Sequence, residues 1–127
     1  MMDIQELVNK VIDCAYRVGR GLYPGFLESV YRNALCIELK KAGIEYQCEY
    51  PLAVHYAGEI VGQFRADILV EGRLILELKA CSSIQEAHQI QLVNYLMTTG
   101  IDDGLLINFG TKPVQITRKY RVFKKPQ

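Results

Sequence analysis

The chain has 127 residues, a length that one domain with one core accounts for, and half of them are hydrophobic, which suffices to build that core. Fifteen Lys and Arg against 14 Asp and Glu leave a net charge of +1, which excludes a protein held to nucleic acid by bulk charge alone. Apolar runs are broken by charge well short of the roughly 18 to 20 residues of a membrane span, and the start MMDIQELVNK has no basic cluster followed by an apolar run, so a soluble, cytoplasmic protein with no signal peptide and no membrane partner is expected.

No repeat, low-complexity tract or linker interrupts residues 1–127, which read as one domain. Ile4, Leu7, Val8, Val11, Ile12 and Ala15 recur at helical spacing and predict a first helix to about Val18, stopped by GRGLYPG. A second is expected from about Gly25 to Lys41, with Phe26, Leu27, Val30, Ala34, Leu35 and Leu39 as its apolar stripe and Gly43 as its stop. CEYPLAVHY, EIVGQFRADILV and RLILELKA, separated by AG and EG, then read as an antiparallel meander. A third helix is expected from about Ile84 to Thr99, with Ser82 or Ser83 as N-cap and Glu86 completing a capping box. GLLINFG has the composition of a strand buried on both faces, with Asn108 capping its end, and VQITRKYRVF alternates like an edge strand. The order predicts an α+β layered domain. Cys14, Cys36, Cys48 and Cys81 are scattered without a CxxC pair, the pattern of reduced, structural thiols.

The third strand carries Glu77 and Lys79 among leucines. Side chains alternate across a strand, so Ile75, Glu77 and Lys79 point one way and Leu74, Leu76 and Leu78 the other, toward a core. Asp67 shares the face of Glu77 only if Val70 pairs with Leu74, leaving Glu71, Gly72 and Arg73 as a loop with a left-handed Gly72; a two-residue turn puts the acids on opposite faces. The three-residue register also sends Ala66, Ile68 and Val70 into the core beside the leucines.

Two neighbouring carboxylates resist ionising together unless a cation sits between them, and magnesium or manganese takes oxygen ligands and keeps waters for chemistry. Lys79, on the same face, is placed to orient or deprotonate an attacking water or to stabilise charge on a phosphate. The set suits metal-assisted phosphodiester hydrolysis. A solvated hairpin face carrying one salt bridge reads the same way.

Two further stretches resemble the PD-(D/E)xK nuclease superfamily and, within it, the GxxExxY family. Gly25-Phe-Leu-Glu28-Ser-Val-Tyr31 matches the naming motif of that family, and Gln91-Leu-Val-Asn-Tyr95 is similar to the QxxxY motif of RecB-type nucleases. The likeness runs from about Ala15 to Arg118. It implies a restriction-endonuclease-like core, a mixed central sheet flanked by helices, with Asp67 and Glu77 as metal-binding acids, Lys79 as the motif lysine and Glu28 as an additional acid on a helix. It also implies that Gln91 and Tyr95 support the lysine and the DNA or metal shell. The sequence departs from the family where a histidine often precedes the Gly-Pro-Gly turn; here the residue is Gly19 and the turn is Tyr23-Pro24-Gly25.

The expected function is therefore a magnesium- or manganese-dependent nuclease acting on DNA, with RNA as the other candidate. Tyr31, Arg118, Lys119 and Arg121 are the candidate nucleic-acid contacts; a core tyrosine and a solvated last strand, extended by Lys124 and Lys125, are the competing readings. A catalytically silent module of the same fold, binding nucleic acid or a protein partner, is the alternative function. A homodimer is compatible with so small a chain, though no residue points to one.

Overall fold

The computed structural model describes residues 1–122. Its elements run α1 (Ile4–Gly21), α2 (Glu28–Lys41), β1 (Tyr46–Tyr56), β2 (Glu59–Val70), β3 (Leu74–Lys79), α3 (Glu86–Thr99), β4 (Asp103–Asn108) and β5 (Gln115–Tyr120). The five strands form one mixed sheet in the order β1-β2-β3-β4-β5, antiparallel throughout except for the parallel pair β3/β4. A parallel pair needs a crossover, and α3 is that crossover. Among the described residues no helix is long and apolar enough to cross a membrane.

Helices α1 and α2 cover one face of the sheet. Leu7, Val11 and Val18 of α1 and Leu35 and Leu39 of α2 meet Ile68, Val70, Leu74, Leu76 and Leu78 in the larger core cluster. Asp3 caps α1 by accepting the Glu6 N–H at 2.8 Å, and Arg17 bonds Glu38 of α2 at 3.0 Å. The helix continues past Val18 to Gly21, and Gly19 lies close against Val114: a Cβ there would sit 2.3 Å from Val114 Cγ2, so neither a histidine nor an alanine fits without displacing the valine.

Helix α2 starts at Glu28 and not at Gly25, whose φ of +122° lies outside the helical region. Phe26 and Leu27, expected on its apolar stripe, are exposed, and the buried stripe is Tyr31, Leu35, Cys36 and Leu39. Tyr31 fixes the entry. Its hydroxyl donates to the Tyr23 carbonyl at 2.6 Å and accepts the Phe26 N–H at 3.1 Å, and its ring stacks on Phe109 with centroids 5.0 Å apart. Tyr31→Phe is expected to cost about 1–2 kcal/mol by orphaning those backbone groups, read as a drop of a few degrees in a thermal melt.

Helix α3 covers the other face, where Leu92, Tyr95 and Leu96 pack on Leu52, Ala66, Leu69, Ile75 and Leu106. Neither serine caps it: Gln85 is the N-cap, and the reciprocal bond of the capping box comes from His88, whose Nδ1 accepts the Gln85 N–H at 3.0 Å. A single imidazole nitrogen thus does the work expected of Glu86.

The β2–β3 loop has the three-residue form, with Ile68↔Leu76, Leu69↔Ile75 and Val70↔Leu74 in register. Glu71 as well as Gly72 is left-handed, at φ +51° and +66°. Ala66 departs from expectation, since it lies in the α3-side cluster while Ile68 and Val70 lie on the α1/α2 side. The alternation breaks at Asp67, which falls between the ladder pairs Tyr50↔Ala66 and Cys48↔Ile68, opposite Glu49 with its φ of +52°.

Candidate active site

The break at Asp67 frees backbone groups from the ladder, and the two acids take them up. Glu77 Oε1 accepts the Asp67 N–H at 3.3 Å, while Asp67 Oδ2 accepts the Leu78 N–H at 2.7 Å. Each carboxyl is pinned by the other's strand. Glu77 is only 5% exposed, and its neighbour in sequence Leu78 faces the opposite core. Burial first, then the adjacent Asp67 carboxylate, push the Glu77 carboxyl up to about 9, while Lys79 pulls it down. Lys79 is half-buried and forms no ion pair with an acid among the described residues.

Tyr95 and Gln91 reach this pair from α3. Burial, then the Glu77 and Asp67 carboxylates, raise the Tyr95 phenol, so the ring sits within the field of both acids. Gln91 Nε2 donates to the Tyr95 oxygen at 3.3 Å, which leaves the phenol's own proton to donate elsewhere. Beyond them a cleft of about 560 Å³ opens between the outer β1–β2 hairpin and α3, lined by Val61, Phe64, Ile90, Gln91, Tyr95 and Met97 among others. Aliphatic side chains are the largest part of its lining, with two rings, two amides and no charged side chain.

The remaining candidates lie elsewhere. Glu28, exposed at the first turn of α2, is not gathered with the pair: among the described residues no group of three or more His, Cys, Asp or Glu is close enough to hold a metal. Tyr31, 1% exposed with its hydroxyl doubly bonded, has no face to offer a nucleic acid. Arg118 is held by Asp103 at 3.0 Å and Gln5 of α1 at 2.7 Å, on the face away from α3. Arg121 is held by Asp102 at 2.8 Å. Asp103 aligns with Leu74 and Asn108 with Lys79, so those aspartates mark the end of the sheet remote from the lysine. Lys119, beside Gly104 on β5, is half-buried, and Lys124 and Lys125 lie outside the described residues.

One supporting residue carried only a weak signal in the sequence. Asn108, fully buried, accepts the Cys81 and Gly110 N–H groups at 3.0 and 2.9 Å through Oδ1 and donates to the Cys81 carbonyl at 2.9 Å. It caps the strand end as expected and also ties down the chain two residues beyond Lys79. Asn108→Ala is expected to cost about 2–4 kcal/mol, because three part-buried backbone groups lose their partner, and a denaturant melt would show it.

Comparison with known proteins agrees with this architecture. The chain matches the PD-(D/E)XK nuclease superfamily over residues 5–120. It belongs to that superfamily. Among solved structures it is similar to SSO0001, with a TM-score of 0.57 at 18% identity over 71% of this chain, a likeness of fold; it spans about half (48%) of that chain. A search of curated proteins finds no match. For this superfamily member the mixed sheet with flanking helices is the restriction-endonuclease-like fold that the resemblance implied.

Proposed function

We propose that this chain is a metal-dependent nuclease of the GxxExxY type that hydrolyses phosphodiester bonds in DNA through Asp67, Glu77 and Lys79. The observation that carries the reading is the reciprocal pinning of two carboxyls on adjacent strands, one buried enough to hold its proton at neutral pH. A buried acid pair of that kind is costly unless a cation relieves it. Two carboxylates match what magnesium and manganese take from a protein, the remaining sites going to water and substrate phosphate, so the donor set fits such an ion with Asp67 and Glu77 as its holders. When bound, the cation supplies Lewis-acid activation and charge neutralisation at the phosphate.

The residues of the chain do the rest. The ladder break fixes the distance between the acids, because a backbone N–H is spent on each. Lys79 follows Glu77 on the same strand face and has no ion pair with an acid among the described residues, which suits it to orient a nucleophilic water or to meet charge on the phosphate. Tyr95, positioned by Gln91, adds a hydroxyl within the field of both acids. The uncharged cleft with its Phe64 and Tyr95 rings suits bases better than phosphates. The basic tail is a weaker support for binding, since Arg118 and Arg121 already answer to aspartates.

The test is cleavage of supercoiled plasmid and of labelled single-stranded DNA and RNA, with manganese or magnesium, by wild type and identically purified Glu77→Ala. Cleavage confined to the wild type is expected. Equal cleavage by both would mean contamination and remove the reading; DNA binding without cleavage, unchanged in Glu77→Ala, would favour the silent module.

A further inference from the structure

Cys36, buried in α2, and Cys48, exposed on the edge strand β1, are free thiols whose Sγ atoms lie 3.1 Å apart. A disulfide needs roughly 2.05 Å, so the two sulfurs are about 1 Å from bonding distance. The other thiols are engaged elsewhere: Cys81 donates to the Ser83 carbonyl at 3.1 Å, and Cys14 accepts from Arg17 at 3.4 Å. We propose that Cys36 and Cys48 form a thiol–disulfide site, closed into an intramolecular bond by a small disulfide oxidant such as glutathione disulfide, which staples α2 to β1.

Exposure sets the order of events. Cys48 loses its proton to solvent and its thiolate attacks one sulfur of the oxidant, forming a mixed disulfide and releasing one glutathione thiolate. Cys36 then loses its proton, attacks Cys48 Sγ and releases the second glutathione. Two protein thiols give up two electrons and two protons in total, and one disulfide is reduced to two thiols. Burial, then the Cys48 thiol, push Cys36 up to about 12, which makes it the resolving partner and the second step the slow one.

The staple acts beside Asp67, the first of the two paired acids. Cys48 pairs with Ile68, and the next residue, Glu49, with its positive φ, lies opposite Asp67. Across the seam between α2 and β1 Glu49 meets Arg32 at 3.4 Å, and within the sheet it meets Arg65 of β2 at 3.6 Å. Exposed pairs of that kind hold weakly, so a covalent link would fix backbone that they only bias.

Reduced protein, incubated with glutathione disulfide and then measured intact and after a non-reducing digest, tests the site. Expected are a mass loss of about 2 Da, a linked peptide joining Cys36 to Cys48, and a Tm raised by roughly 5–10 °C and reversed by dithiothreitol. Cys81→Ser should behave as wild type and Cys48→Ser should lose all three changes; because Cys48 is exposed, its variant serves even where Cys36→Ser fails to fold. A glutathione adduct that persists on Cys48, an unchanged mass, or a link to Cys81 overturns the proposal.

Discussion

Lys79→Met is expected to slow cleavage by about a hundredfold to ten-thousandfold while leaving the melting temperature within a degree or two of wild type. The lysine has no ion pair among the described residues whose loss would cost stability, and methionine keeps most of its apolar stem. Its one electrostatic duty visible here is to draw the Glu77 carboxyl downward. Removing it should therefore weaken manganese binding, but by less than about tenfold, since burial and Asp67 are the larger influences on Glu77. The contrast with Asp67→Ala is diagnostic: that variant should lose titratable manganese binding and cleavage together. Lys79→Arg separates charge from placement, because a planar guanidinium keeps the charge and changes the reach. Full activity in Lys79→Arg would leave the lysine as charge balance only, and unchanged cleavage in Lys79→Met would remove it from the site.

The acid pair was legible in the sequence because strand alternation has a period of two. Once Glu77 and Asp67 are required to share a face, only one register satisfies both them and the leucines, and that register is the one formed. What alternation could not show is that Asp67 drops out of the ladder, since the break is shared with Glu49, eighteen positions earlier on another strand. The same limit explains Ala66: a parity rule holds only while the pleat is regular. Arg118 and Arg121 read as a basic tail because nothing local reveals that Asp103 and Asp102 fold back against them. Glu28 and Tyr31 share a helix face by spacing, yet helical spacing does not give the distance from that face to a strand, and the tyrosine's hydroxyl goes to the preceding turn. Gln85 and not a serine caps α3, with the nitrogen of His88 accepting its N–H, a partner three residues on that serine propensity does not reveal.

Glu77→Gln should make the metal-free protein more stable, by about 1–3 kcal/mol at pH 7, while destroying its activity. Glu77 has its folded value raised from 4.5 to about 9, so between those limits the folded state holds a proton that the unfolded state releases. Its contribution to stability is whole below 4.5 and declines as pH rises toward about 9; at pH 7 the full single-site effect would be about 3 kcal/mol, and coupling to Asp67 shares it between the two acids. Melting temperatures in chelator should therefore fall from pH 5 to pH 9 for wild type and fall less for Glu77→Gln, which is neutral throughout. Manganese should reverse the ranking, because an ion that binds only the folded wild type adds about 2.7 kcal/mol at a hundred times its dissociation constant, and the amide cannot match a carboxylate as a ligand. A wild-type melt in chelator that is flat from pH 5 to pH 9, or a Glu77→Gln variant less stable than wild type without metal, would mean that the carboxyl is relieved by something other than a cation. In that case the pairing of Asp67 with Glu77 would be a structural bond between strands, and the buried acid pair would call for no metal.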